Sequence, residues 1–399
     1  MKLTARLQRI EPSVTLALDA RAKALAASGA DVINMAVGEP DFPSPRVVID
    51  AATAKVQSGH VRYTPVGGTP SLRAAVAEHV AATRGGAWGP EHVTICHSVK
   101  HALSATLLSL VETGDEVLIP LPAWVSYFDL VRLTGAEPVL VPSPFDADGF
   151  HPDLDALRAA ITPRTRMICI NSPNNPSGTV WTREEIEAVT RLAIEHDLWL
   201  LTDEIYRSLV YDTEPWSPLS IPELRDEARA RTLLVDGASK GLAMTGYRIG
   251  FLAGPEPIAQ AVVKLASQTN GSPNDVGQAA YEAALRNPPP EVETMRLAFD
   301  ERRRVLLTRL AELGLETPEP KGAFYAFPNV AAFTDERGTI GFCEELLETE
   351  RLALVPGEAF GCPGHVRLSY ALDLDTIERA VGRLERFFSA RRAGTTAAD

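Results

Sequence analysis

The sequence predicts an α/β fold: a large unit built on a seven-stranded, mostly parallel sheet, followed by a smaller α+β unit. Three observations carry this. Seven short apolar runs, at residues 93–96, 116–120, 138–142, 167–171, 199–203, 232–236 and 249–253, have the length and composition of strands. Helical patterns fit between most of them, around 100–112, 123–134, 153–161 and 182–196. Strands that alternate with helices form parallel sheets covered on both faces. Beyond about residue 254 the alternation stops, and a pattern distinct from the central sheet follows.

The chain has 399 residues, too many for one typical domain. Its division reads as 1–45, an arm; 46–286, the large unit; and 287–399, the C-terminal small unit. Hydrophobic residues make up 45% and charged residues 23%, enough apolar material for a large core. A net charge of −13 argues against a nucleic-acid partner, which needs a basic face. The cysteines Cys96, Cys169, Cys343 and Cys362 are scattered and form no C-x-x-C pair, so neither zinc nor a disulfide framework is indicated. With no signal-type block after Met1 and no apolar run of bilayer length, the expected location is the cytoplasm.

In chain order, residues 1–12 read as an arm. Ser13 then caps a helix carrying Leu16, Leu18, Ala22 and Leu25. A strand at 32–36 leads into Val37-Gly38-Glu39-Pro40-Asp41-Phe42-Pro43, an extended turn in which the Gly38 amide is open to close approach. A helix near 46–57 and the loop Arg62–Pro70 precede a helix from Ser71 to Thr83.

Within the alternating region, ligands bind at the carboxyl ends of the strands. Several chemically able residues fall there. His97-Ser98-Val99-Lys100 opens a helix whose amides suit a phosphate. Trp124 starts another helix. Asn171-Ser172-Pro173-Asn174-Asn175-Pro176 follows a third strand, and Asp203-Glu204-Ile205-Tyr206 a fourth. Each alone has a plain reading as a cap, core residue or turn. Together, at matching ends of one sheet, they point to a site. His97 and His101 are spaced i, i+4, but lack a third ligand, and no metal is expected there.

The organising stretch is Leu233 to Gly250. Lys240 sits in a small-residue turn after an apolar run, with Arg248 eight positions on. Desolvation and a nearby cation favour the neutral amine, the form that attacks a carbonyl. Ser239 and Arg248 offer a hydroxyl and a planar fork of donors to a phosphate. This suggests a Schiff-base lysine holding pyridoxal 5'-phosphate. A rival reading is the G-x-S-x-G elbow of a serine hydrolase, with Ser239 as nucleophile and His365 as the one later histidine.

After residue 254 the chain reads as helices through Ile258–Gln268 and Val276–Leu285, a break at Pro288-Pro289-Pro290, and a charged, solvated connecting helix at 291–313. Gly322–Pro328, a helix near 340–350, strand-like Leu352–Pro356, Val366–Tyr370, a helix at about 374–391 and a disordered tail from Ala393 follow.

The seven motifs Val37–Phe42, Tyr63–Gly68, Asn171–Pro176, Asp203–Tyr206, Ser239-Lys240, Met244–Gly250 and Pro356–Gly361, in this order, resemble the class I, fold-type I pyridoxal-phosphate-dependent aminotransferases, bacterial aspartate aminotransferase branch. The resemblance runs from Leu7 to Tyr370. It implies that Lys240 binds the cofactor and moves the substrate's α-proton, and that Asp203 sits against the pyridine nitrogen. Tyr206 and Asn175 would bond the ring's phenolic oxygen, and Trp124 would stack on the ring. Ser98, Val99, Lys100, Ser239, Arg248 and a Tyr63 from the neighbouring subunit would hold the phosphate, which implies a homodimer. Arg367, helped by Gly38, would clamp the substrate carboxylate, with Trp124 and Asn175 beside it. Part of 1–45 would join 287–399 in the small unit, which would close over the substrate.

Three positions depart from the family's pattern. Val99 stands where a small residue is usual. Gly237 replaces a frequent Ser, a lost hydroxyl that costs about 1 kcal/mol of cofactor binding. Glu11 replaces a basic residue, which would disfavour a dicarboxylic substrate. The expected activity is transfer of an α-amino group between an aspartate- or glutamate-like amino acid and a 2-oxo acid such as 2-oxoglutarate. The alternative on the same fold is β/γ-elimination, substitution or cyclisation.

Overall fold

A computed structural model of the chain describes residues 3–10 and 14–396. Glu11 and Ser13 lie outside them, so neither the expected cap nor the orientation of Glu11 is addressed. The seven apolar runs form one sheet: β1 (Val93–Cys96), β2 (Glu116–Pro120), β3 (Glu137–Val141), β4 (Thr165–Asn171), β5 (Trp199–Asp203), β6 (Thr232–Gly237) and β7 (Gly250–Ala253). Their spatial order is β1-β7-β6-β5-β4-β2-β3. All neighbours are parallel except β7, which runs antiparallel to both β1 and β6.

Successive side chains on a strand point to opposite faces. Val117, Met167, Leu201, Val235 and Leu252 pack in one cluster with the helices Val99–Leu110 and Val125–Thr134. Ile168 and Leu200 pack under the helix Arg183–Glu195, and Leu234 and Phe251 under Pro70–Arg84 and Asp275–Arg286. Both faces are therefore largely dry outside the edge strand β3, which is why the strands read as continuous apolar runs rather than alternating ones.

Beyond the sheet, Tyr325–Ala326, Val366–Ser369 and Val355–Pro356 make a three-stranded antiparallel sheet. Ile33–Asn34 pairs in parallel with Leu352–Ala353, so the N-terminal segment is tied to the C-terminal third.

Some expectations need correction. The strand read at 249–253 begins at Gly250, because Thr245–Tyr247 forms a tight 3-10 turn and Arg248 is left-handed, φ 58°. The run Leu352–Pro356 splits into two short strands that serve different sheets. The helix expected to end at 391 continues to Thr396, so residues 393–396 are helical rather than disordered. The charged helix, Glu291–Glu312, is not merely solvated: it buries Met295, Phe299, Leu306 and Leu310. It also buries Arg303, 1% exposed, which bonds Asp300 and Glu319, pairs with Asp212 and lies over the Tyr211 ring at 5.1 Å. A high charge count hid a narrow apolar stripe with one buried cation on it.

Candidate active site

The carboxyl ends of β1, β2, β4, β5 and β6 converge on a cleft of about 490 Å³. Every residue expected at the site lines it except Tyr63: Gly38, Ser98, Val99, Lys100, Trp124, Asn175, Asp203, Tyr206, Ser239, Lys240, Arg248 and Arg367. Tyr63 is 99% exposed and lies outside the cleft.

Asp203 ends β5 and is buried. The Tyr127 hydroxyl donates to its Oδ2 at 2.8 Å and the Ile205 N–H to its Oδ1 at 3.1 Å. Asn171 donates to its carbonyl at 2.8 Å and fixes the adjacent strand end. Burial pushes the Asp203 carboxyl up to about 7, against the pull of these bonds. Lys240 follows β6 by way of Ala238 and Ser239, and its Nζ donates to the Gly38 carbonyl at 2.5 Å. Burial lowers its ammonium to about 8, aided by Arg367 and Arg248 and opposed by Glu39 and Asp203. A cleft acid raised to near neutrality thus shares a site with a base lowered toward it, the usual signature of chemistry rather than of structure.

Arg367 reaches the cleft from Val366–Ser369. It is 4% exposed, donates from Nη1 to Asn175 Oδ1 at 2.8 Å and from Nη2 to the Ala36 carbonyl at 2.6 Å, and packs over Tyr325 and Phe360. Its buried Nε–H has no partner. An unpaired charged donor buried beside a cleft costs free energy unless a ligand acceptor meets it. The Tyr206 and Tyr325 hydroxyls share a hydrogen bond of 2.9 Å.

The phosphate-type cradle is built by close backbone packing. Ser98 caps the helix Val99–Leu110, its hydroxyl accepting from His101 N at 3.2 Å, which leaves the first-turn amides open. A Cβ on Gly250 would lie 2.5 Å from Val99 N, and one on Gly237 would lie 2.6 Å from Gly250 Cα and 3.3 Å from a Val99 methyl. Two of the departures therefore belong together. A serine does not fit at 237, and the Val99 side chain lies against the space its side chain would take. Lys100 stands over the Trp124 ring, 4.7 Å from its centroid, and burial and the charge of Arg248 lower its ammonium. The cations, the partnerless Arg367 donor and an acid that needs a facing cation fit pyridoxal 5'-phosphate with a carboxylate substrate.

Sequence reasoning missed Tyr127, Tyr325 and Phe360. Tyr127 was findable as one helical turn beyond Trp124 on the same face. Tyr325 and Phe360 come from the far unit, and no local pattern aims them at β5. The hydrolase elbow fails: Gly241–Arg248 forms turns, not a sustained helix. His365 lies among Phe145, Phe150 and Phe327, with Nδ1 3.5 Å from Cys362 Sγ.

Residues 30–384 match the family model described as aminotransferase class I and II. The chain is 42% identical to an aspartate aminotransferase of Geobacillus stearothermophilus, over 98% of this chain and all of the relative. It is 39% identical to an aspartate/prephenate aminotransferase of Thermus thermophilus, over 96% of this chain and 98% of the relative. Among solved structures, the Thermus thermophilus aspartate aminotransferase with maleate superposes with a TM-score of 0.92 at 39% identity, over 97% of this chain and 100% of the other.

Proposed function

The chain belongs to the class I and II aminotransferases, and on that premise we propose that it transfers the amino group of aspartate or glutamate to a 2-oxo acid, using pyridoxal 5'-phosphate in the cleft around Lys240. The observation that carries the reading is the pairing of Lys240 and Asp203, base and acid with converging proton affinities, in one cleft with Arg367.

When bound, the cofactor supplies the aldehyde that takes up the amino group and a ring that withdraws electrons from the substrate's α-carbon. The residues of the chain do the rest. Lys240 Nζ, neutral in a large fraction near pH 8, takes and returns the α-proton. The Gly38 carbonyl orients that nitrogen. Asp203, held by Tyr127, presents its charge to the ring nitrogen. Ser239, Arg248 and the Ser98–Lys100 amides bind the phosphate, and Trp124 covers the ring face. Tyr206, held by Tyr325, and Asn175 bond the ring oxygen. Arg367, through its unpartnered Nε and adjoining Nη donors, takes the substrate α-carboxylate.

Lys100 supports an acidic substrate: its amide serves the phosphate, while its ammonium, over the Trp124 ring, offers a partner for a second carboxylate. The relatives' names point the same way. We take residues 46–286 as the large domain, and 1–45 with 287–399 as a small domain that closes over the cleft and excludes water. A homodimer is part of the proposal, since an aromatic residue as exposed as Tyr63 suits a partner's phosphate site. So is a cytoplasmic location: no helix of the described residues is long and apolar enough to cross a membrane, and the four cysteines are unpaired.

The test is a panel of amino donors with 2-oxoglutarate. Aspartate is expected to lead, and Lys240→Ala to lose on the order of 10³-fold or more in kcat. Elimination or cyclised products with no transfer to any acceptor would overturn the reading.

A further inference from the structure

Behind the cleft lies a second charged cluster that the chemistry above does not use. Asp203 faces the cleft side of the sheet. Its neighbour Glu204 and, on the adjacent strand, Asp236 point to the opposite face, and both are buried. One guanidinium bridges them. Arg84, the last residue of the helix Pro70–Arg84 and 1% exposed, donates from Nε to Glu204 at 3.0 Å and from Nη2 to Asp236 at 2.5 Å. It thereby ties the end of β5, which carries Asp203, to the end of β6, which leads to Lys240.

We propose that Arg84 is a positioning residue for Asp203: the buried counter-charge that bridges the two carboxylates behind it, balances them together with Arg207, and leaves Asp203 free to present its own charge to the cleft. The inference rests on the reading that Asp203 serves the cofactor ring.

The surrounding charges are few. On the helix of Arg84, His79 lies 3.3 Å from Nη1 and is kept neutral, lowered to about 4 by burial and then by Arg84. Beyond β5, Arg207 contacts Glu204 at 3.4 Å and donates to the Thr83 carbonyl. From Asp275–Arg286, buried Tyr281 faces Asp236 and stays protonated. On the cleft side, Asp203 meets Tyr127, Tyr206 and Cys169, all neutral, and Lys240. Two arginines thus balance two carboxylates. Without Arg84, Glu204 and Asp236 both repel a charge on Asp203, and those are the two groups that already oppose it. A buried carboxylate pair short of one cation raises the proton affinity of every group nearby.

The experiment is a pH titration of the visible band of the enzyme loaded with pyridoxal 5'-phosphate, with thermal melts alongside. The band reports Lys240, which senses Asp203. Arg84→Gln is expected to move the midpoint up by about half a pH unit or more, and Glu204→Gln to move it down by a similar amount. Arg84→Lys and the double variant Arg84→Gln/Glu204→Gln should stay close to wild type. Opposite signs are the mark of a charge role, since a purely structural bridge lowers the melting point of both variants without moving the midpoints apart. If Arg84→Gln does not fold, Glu204→Gln decides alone. A folded, coloured Glu204→Gln enzyme whose midpoint is unmoved or raised overturns the assignment. Wild-type enzyme that stays uncoloured overturns the cofactor reading as well.

Discussion

Asp203 is costly to the protein that keeps it. Its carboxyl is raised to about 7 from the ordinary 3.8, chiefly by burial. Between those values the folded state holds a proton that the unfolded state has lost. Stability of the cofactor-free protein therefore falls as pH rises from about 4 to 7, by up to a few kcal/mol at 1.36 kcal/mol per unit. Asp203→Asn removes this loss. The variant is expected to melt higher than wild type at pH 8, to lose most of that advantage by pH 5 and all of it near pH 4, and to transfer amino groups on the order of 10³-fold more slowly. Equal melting points at pH 8 would contradict the account of Asp203 as a strained acid. Lys240 has the opposite sign. Its lowered value makes cofactor-free stability rise with pH from about 8 toward 10.5. The residue types of both groups were legible in the sequence, because each follows an apolar run. Their bonds to partners were not, although Tyr127 was readable as a cleft neighbour of Trp124. Tyr127 reaches Asp203 only through the register of a helix against β5, and Tyr325 only through the packing of a second unit.

Among the elements, β7 shows how glycine positions serve the site. It lies between β1 and β6 with Gly250 opposite Cys96 and Gly237, and a side chain at 250 meets the Ser98–Val99 backbone. Gly250→Ala is expected to leave the fold in place and weaken cofactor binding by about tenfold or more, as the cradle amides shift. Titration with the cofactor measures it, and unchanged affinity would refute the packing argument. The helix Glu291–Glu312 illustrates what composition conceals. Its charges predicted solvation, while its apolar stripe fills the core. Leu306, fully buried, makes this testable: Leu306→Ala should cost about 2–5 kcal/mol in a urea melt, whereas a solvated helix would lose less than 1. Six of the seven strands of the large sheet were readable because both of their faces are largely dry, whereas the edge strand β3 leaves Glu137 and Leu140 exposed. The two-residue strands of the small sheet were not, since tertiary pairing rather than local pattern defines them.

At the scale of the whole molecule, the cleft is assembled from parts far apart in sequence. The N-terminal segment supplies Gly38, the sheet supplies Asp203 and Lys240, and the C-terminal third supplies Arg367. Arg367 also bonds both Asn175 and the Ala36 carbonyl, so one side chain spans all three. The exposed Tyr63 extends this logic to a second copy. Light scattering should give a dimer of the 43.1 kDa chain, and Tyr63→Phe should weaken cofactor binding several-fold while the dimer persists. A monomer with full activity would exclude a shared site. The most direct test of the central claim is borohydride reduction of the enzyme loaded with pyridoxal 5'-phosphate, followed by peptide mass spectrometry. A single reduced adduct on the Lys240 peptide, with loss of the visible band, is the expected result. An adduct at another lysine, or none in a protein that stays uncoloured, would contradict it.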